Sequence, residues 1–346
     1  MKKNKNRFKK NLIIILLTCL IFSSGTLFYL IKNDTTDSNN ERIDNIIYKI
    51  VNFYNSIDVG VKKDPYRNYD DPGEKDDYVF SGIKQCAWRG VTYSINPEKG
   101  YKDRYAPENS FPAYRRAIEE GFDYLWLASV RFSTNEEFYI IHDADTERVI
   151  GEKNVVAECS SEQINSLRLL QKGWNSWGDE DLKIPTLEEA LQFAQEHNQP
   201  LGIRLGALPP DRNTENNRRI WIKFVEICRK YEICKESIFS GSLAQISVLN
   251  YYEPGWHVQA TCSSNFTKEE NDDLINKIVK KSFYKSSVIV YKTNLDQSTV
   301  DLAHKNGVFV FGVSDEPIIK EDTLDLYKKL KIDAIITHCR IPLDSE

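Results

Sequence analysis

The sequence has no CxxC pair and no cysteine grouped with histidines. That absence removes the donor spacing a structural zinc site needs. Also missing is the basic surplus of a nucleic-acid binder. The formal net charge is −5, whereas such domains present a basic face, which argues against nucleic acid as a partner. Basic residues dominate only the first ten positions, with Lys2, Lys3, Lys5, Arg7, Lys9 and Lys10. No clear small-x-small cleavage signal ends the apolar run that follows them, which argues against a removed signal peptide.

That run, Leu12 to Ile31, carries no charge. A stretch of about 20 apolar residues can cross a bilayer as a helix, and flanking positive charge stays cytoplasmic. The expected layout is a single-pass cell-membrane protein. Residues 1–11 form a cytoplasmic tail, 12–31 the transmembrane anchor, and the remainder lies outside the cell. A cleaved signal, or a lipoprotein site at Cys19, is the rival. Exterior placement permits disulfides, but for Cys86, Cys159, Cys228, Cys234, Cys262 and Cys339 buried free thiols are the simpler reading. Residues 32–80 read as a stalk or linker with a short helix. Ile43, Ile46, Ile47 and Ile50 recur at helical spacing, and "KKDPYRNYDDPGEKDD" is charged and turn-rich.

From residue 81 to 346 strand-like and helix-like runs alternate, the pattern of an α/β fold and specifically a (β/α)8 TIM barrel. There are nine strand-like runs, one more than such a barrel holds. Chain reach identifies the extra one. Only about four residues separate "VRF" from "EFYIIHD", and a parallel crossover needs roughly a dozen. "EFYIIHD" therefore belongs to an insertion of about residues 131–186, which leaves after the second barrel strand. Active sites of such barrels lie at the C-terminal strand ends. Arg89, residues 128–130, residues 204–206, Ser314 and His338 fall there, and the insertion carries His142 over the same mouth.

"WRG" at 88–90, "APENSFPAYRRAIEEGFDYLWLASV", "FYIIHD", "IPTLEEAL" and "IDAIITHCRIP" occur in that order. Together they resemble the glycerophosphodiester phosphodiesterase family over roughly residues 84–342. The resemblance implies a barrel of the PLC-like phosphodiesterase type with an insertion after the second strand. It also implies phosphoric diester hydrolase chemistry in lipid metabolism: two histidines for proton transfer and a divalent cation, calcium or magnesium, held by carboxylates. The sequence departs from that pattern. Trp88 stands for the first histidine, Trp126 and Ala128 for a Glu-x-Asp pair, Arg204 and Gly206 for a Glu-x-Lys pair, and His338 for a final Asp. Arg89, Glu108, Asn109, His142 and Asp143 are kept.

No metal ligands and no cofactor are therefore expected. The expected catalytic residues are His142, Arg89 and His338, the two histidines forming a metal-free pair. The expected ligand-binding residues are Trp88, Glu108, Asn109, Trp126 and Arg204. The arginines suit a phosphate and the tryptophans a sugar or a choline-like head group. The competing structural reading fills the lumen with both tryptophans and pairs Arg204 with Glu108. Asn109 or Ser110 is expected to cap the helix that follows. The function expected is binding of a small phosphodiester, lipid head group or envelope glycan by a pseudoenzyme. The alternative is an active hydrolase using His142 at a non-standard or metal-free site.

Overall fold

The computed structural model describes residues 64–70, 72, 82–313 and 318–343. The basic tail, the apolar segment 12–31, the stalk helix, and Ser314 with its neighbours Asp315 and Glu316 lie outside these residues. Among the described residues no helix is long and apolar enough to cross a membrane.

Eight parallel strands close into a barrel in sequence order. They are β1 (Lys84–Trp88), β2 (Tyr124–Leu127), β3 (Leu201–Arg204), β4 (Ile238–Gly241), β5 (His257–Thr261), β6 (Lys285–Tyr291), β7 (Val308–Val313) and β8 (Ala334–Thr337). β1 closes the ring by pairing with both β2, where Trp88 faces Trp126, and β8, where Cys86 faces Ile336. Seven helices connect the strands: α1 (Phe111–Glu119), α2 (Leu187–Glu196), α3 (Glu215–Arg229), α4 (Leu243–Tyr252), α5 (Lys268–Lys281), α6 (Gln297–Lys305) and α7 (Glu321–Leu330). Several start where the sequence supplies a reciprocal cap. Thr186 with Glu189 opens α2, Ser242 with Gln245 opens α4, and Thr267 with Glu270 opens α5.

Strand alternation divides the apolar residues between two cores. Leu125, Leu127, Leu201, Ile203, Val258 and Val288 pack outward against the helices. Cys86, Trp88, Tyr124, Trp126, Ile289 and Phe311 fill the lumen. The inward position between Leu201 and Ile203 is Gly202, and a Cβ there would meet the Trp126 ring at 1.9 Å. The glycine makes room for the indole.

The run "DYLWLASVRF" does not stay one strand. It leaves the barrel after Leu127, and Val130–Phe132 pairs antiparallel with Phe138–Ile140 outside it. This agrees with the chain-reach expectation. The insertion has its own small core of Tyr139, Ile141, Val149, Ile164, Leu169 and Ile184. Two features extend the sequence-based picture. A ribbon of Tyr93–Ile95 and Lys102–Arg104 rises from the first loop. The compact unit also starts at Pro65 rather than near residue 81. Asn68 donates its backbone N–H to the Tyr252 carbonyl at 2.8 Å, and Arg229 reaches the Tyr66 carbonyl. Six cysteines, all those from Cys86 to Cys339, are buried free thiols.

Candidate active site at the barrel mouth

At the end of β1 the chain turns through left-handed conformations at Arg89 (φ 63°) and Gly90 (φ 77°). A Cβ on Gly90 would lie 2.7 Å from that of Ala113, so only glycine lets the turn pack against α1. The turn carries the Arg89 guanidinium to Glu108, 3.0 Å away. Trp88 remains in the lumen and stacks on His338, with ring centroids 5.6 Å apart and planes 8° from parallel. Ser110, not Asn109, caps α1. Asn109 is buried instead, and its amide holds Ala128 from both sides: Nδ2 donates to the Ala128 carbonyl and Oδ1 accepts from the Ala128 N–H. Both polar ends are used in fixing the exit of β2, so its expected ligand contact is taken up by backbone.

Glu108 is the hub of one side of the mouth. Arg148, from the insertion, donates to both its oxygens at 2.6 and 2.7 Å. The same guanidinium reaches Asp143 at 2.5 Å, and Asp143 holds Nδ1 of His142 at 2.7 Å. Burial opposes ionisation of Glu108, but Arg148 and Arg89 outweigh it and hold its carboxyl below the ordinary value. Asp143 is likewise held low, its burial outweighed by His142 and Arg148. The His142 imidazole is pushed down by burial and by the Arg89 charge, against the pull of Asp143. It is therefore neutral near pH 7.

The other side is a cavity of about 530 Å3 that contains Arg131, His142, Arg204, Thr261, Ser263 and Tyr291 in its lining. Among the described residues that line it there is no carboxylate. Arg131 spends two donors on the His142 carbonyl, at 3.2 and 2.7 Å. Arg204 has no hydrogen-bond or ionic partner among the described residues, because Glu108 turns to Arg89 and Arg148 instead. Burial pushes the Arg204 guanidinium down and Arg89 adds to that, opposed by Tyr291. It stays charged, since arginine is not deprotonated in proteins.

His338 lines a second, smaller cavity beside Arg89, Thr92 and Glu108. Burial lowers its imidazole from 6.5 to about 4, and Nδ1 meets the Thr92 hydroxyl at 3.2 Å. The two histidines expected to act together thus line different cavities. Trp126, expected to touch ligand, is 2% exposed and packs in the lumen against Phe311. Trp88 packs in the lumen and stacks on His338, which lines the smaller cavity.

The donor set can be tested against a divalent cation, which needs several oxygen ligands at short range. The inward positions hold Trp126, Ala128, Arg204 and Gly206. A Cβ on Gly206 would lie 2.4 Å from the Val130 carbonyl, so a longer side chain would not fit that backbone. Glu108 and Asp143 are already engaged by arginine. Among the described residues no three His, Cys, Asp or Glu side chains are grouped to share an ion. The set does not fit such a cation. Arg131, Arg148 and Lys172 were not foreseen as site residues. They come from the insertion, and no spacing in the sequence ties them to Glu108 or Arg204.

Residues 99–339 match the model of the Glycerophosphoryl diester phosphodiesterase family. No curated protein matches the chain. Solved structures do. A candidate glycerophosphodiester phosphodiesterase from Galdieria sulphuraria is 17% identical, with a TM-score of 0.59 over 76% of this chain and 96% of that one. The glycerophosphodiester phosphodiesterase from Agrobacterium tumefaciens is 17% identical, with a TM-score of 0.54 over 74% and 96%. An Oleispira antarctica phosphodiesterase, solved with the product sn-glycerol-3-phosphate, is 18% identical, with a TM-score of 0.57 over 74% and 92%. At these identities the structures establish a shared fold, and the family match covers most of the chain. The chain belongs to the glycerophosphoryl diester phosphodiesterase family.

Proposed function

We propose that this chain is a membrane-tethered, outward-facing member of its family that binds a small phosphodiester or its phosphomonoester without a divalent cation. The observation that carries the reading is Arg204. Among the described residues its guanidinium has no partner, and the cavity it shares with Arg131 and His142 is lined by hydroxyls and no carboxylate. A planar fork of donors matches phosphate oxygens, and the anion would supply the countercharge that the described residues do not. The Oleispira relative holds a glycerol phosphate on the same fold, which supports this ligand class. The apolar, uncharged run from Leu12 to Ile31 supports the tether. Calorimetric titration of the full-length chain with glycerophosphodiesters, in chelator, tests the binding. Binding that weakens roughly 10- to 100-fold in Arg204→Ala supports it, and no binding without added calcium or magnesium would refute it. Protease digestion of intact cells tests the tether, since an outward-facing domain is cut while the cytoplasmic tail is not.

A second reading has its own observation, the His142–Asp143 pair. A neutral imidazole oriented by a carboxylate, at the rim of a cationic cavity, is a general base in waiting. Arg131 and Arg204 would stabilise the charge developing on a phosphoryl group. This is an active, metal-free phosphoric diester hydrolase in which His338 takes no part beside His142. Turnover in chelator that is lost in His142→Ala selects this reading. Turnover that survives that substitution removes it.

A further inference from the structure

The smaller cavity, about 200 Å3, has a charge imbalance of its own. Arg89, Arg104, Arg148 and Lys172 face one carboxylate, Glu108. Arg89 and Arg148 already satisfy that carboxylate. Arg104 donates to the Tyr93 hydroxyl at 2.9 Å and Lys172 to the Arg148 carbonyl at 3.2 Å. Among the described residues neither has an acidic partner. The Nε of Arg89 is buried without a hydrogen bond.

The backbone brings these cations together. The Trp174 N–H donates to the Arg104 carbonyl at 3.1 Å. A Cβ on Gly173 would lie 2.2 Å from the Tyr105 carbonyl, so a glycine is required for this approach. Tyr105 packs edge-on against both Trp174 and Trp177, at 5.4 and 5.3 Å. An aromatic clasp therefore fixes Lys172 beside Arg104, where the two repel. Burial and the Arg104 charge push the Lys172 ammonium down, with Arg148 adding to that and Glu108 opposing. Among the described residues Glu108 is the one carboxylate in this cavity, so the packing holds four cations around a single counter-ion.

The two cavities are linked through side chains. Arg148 lines the smaller one and also binds Asp143, whose partner His142 lines the larger. We propose that the smaller cavity is a second phosphate subsite, so that the mouth engages two successive phosphates of one polyol phosphate chain. This rests on the anion-binding reading of the Arg204 cavity. A nucleic acid carries successive phosphates too, but the net charge of −5 disfavours it over a compact polyol chain.

The test titrates the full-length chain with three probes: inorganic phosphate, a synthetic glycerol phosphate chain carrying two phosphates, and a short single-stranded oligonucleotide. Two inorganic phosphates are expected to bind per chain, and the two-phosphate chain to bind about 10-fold or more tighter, because its second contact is intramolecular. In Arg104→Ala/Lys172→Ala one phosphate site and the extra affinity are lost, while the Arg204 site keeps its affinity. Arg104→Lys, which retains the charge, keeps most of the gain and controls for misfolding, as does an unchanged melting midpoint. A double variant that binds the two-phosphate chain as tightly as the parent overturns the subsite. Equal or tighter binding of the oligonucleotide overturns the polyol assignment. One phosphate per chain at the Arg204 site, with no gain for the longer probe, defeats this inference alone. No binding of any probe defeats the anion-binding reading as well.

Discussion

The two sides of the barrel mouth treat arginine in opposite ways. On the side of the first loop and the insertion, Glu108 and Asp143 engage Arg89 and Arg148 in a closed set of charge-assisted hydrogen bonds. Across the mouth, Arg204 stands in a larger cavity with no acid among the described residues that line it. Half-burying an unpaired cation is unfavourable. On the proposed reading, Arg204, which has no acidic partner among the described residues, is left for an anion from outside the chain. The Arg89–Arg148–Glu108 set is then scaffold, holding up the neighbouring Arg104–Lys172 subsite, and the Arg204 side is receptor.

The largest effect is expected beneath both. Trp126 fills the lumen over Gly202, and Trp126→Ala leaves a void that the glycine does nothing to close. Removing a buried tryptophan costs about 3–5 kcal/mol, read as a lower midpoint in urea denaturation. A loss under ~1 kcal/mol would show that the lumen is loosely packed and that Trp126 is free for another role.

Next come the arginine partners. Arg204→Ala should weaken phosphate binding roughly 10- to 100-fold, the worth of a charge-assisted contact. It should leave folding stability unchanged or slightly raised. Glu108→Gln should do the reverse. It strands Arg89 and Arg148, lowering stability by about 1–2 kcal/mol because Arg148 is partly exposed, and it tightens anion binding by freeing two guanidiniums. If both substitutions weaken binding equally, the division into scaffold and receptor fails.

The smallest effect is the pH dependence. Burial lowers His338 from 6.5 to about 4 and His257 from 6.5 to about 3. In that window the unfolded chain takes up protons that the folded chain refuses, so stability falls as pH drops below about 6.5. Glu108 and Asp143 are held low in the folded state, so their contribution is present above the ordinary carboxylate range and is lost as pH falls through their folded values. His338→Gln should flatten the upper part of the curve, near pH 6 to 4. An unchanged curve would place the transition on the other groups.

Much of the scaffold was legible in the sequence. Strand–helix alternation and the short gap before "EFYIIHD" were enough to expel that run from the barrel, because chain reach is a local constraint. Trp88, Arg204 and His338 could be placed at strand ends for the same reason. The partners could not. Arg148 meets Glu108 across 40 residues, and nothing near either residue announces the pairing. Asn109 looked like a cap or a ligand contact, but only the folded turn shows Ala128 within its reach. Trp126 could have faced a ligand or the lumen, and the glycine at 202, one strand away, decides it. The ribbon of Tyr93–Ile95 and Lys102–Arg104, in a loop that carries no strong strand pattern, was missed with its cation Arg104.

The most direct measurement is the affinity of the full-length chain for inorganic phosphate, taken first in chelator and then with calcium or magnesium restored. The expected result is binding of equal strength in both, with one of the two phosphate sites weakened roughly 10- to 100-fold by Arg204→Ala. Binding that appears only when the cation returns, and that survives the loss of Arg204, would contradict the account.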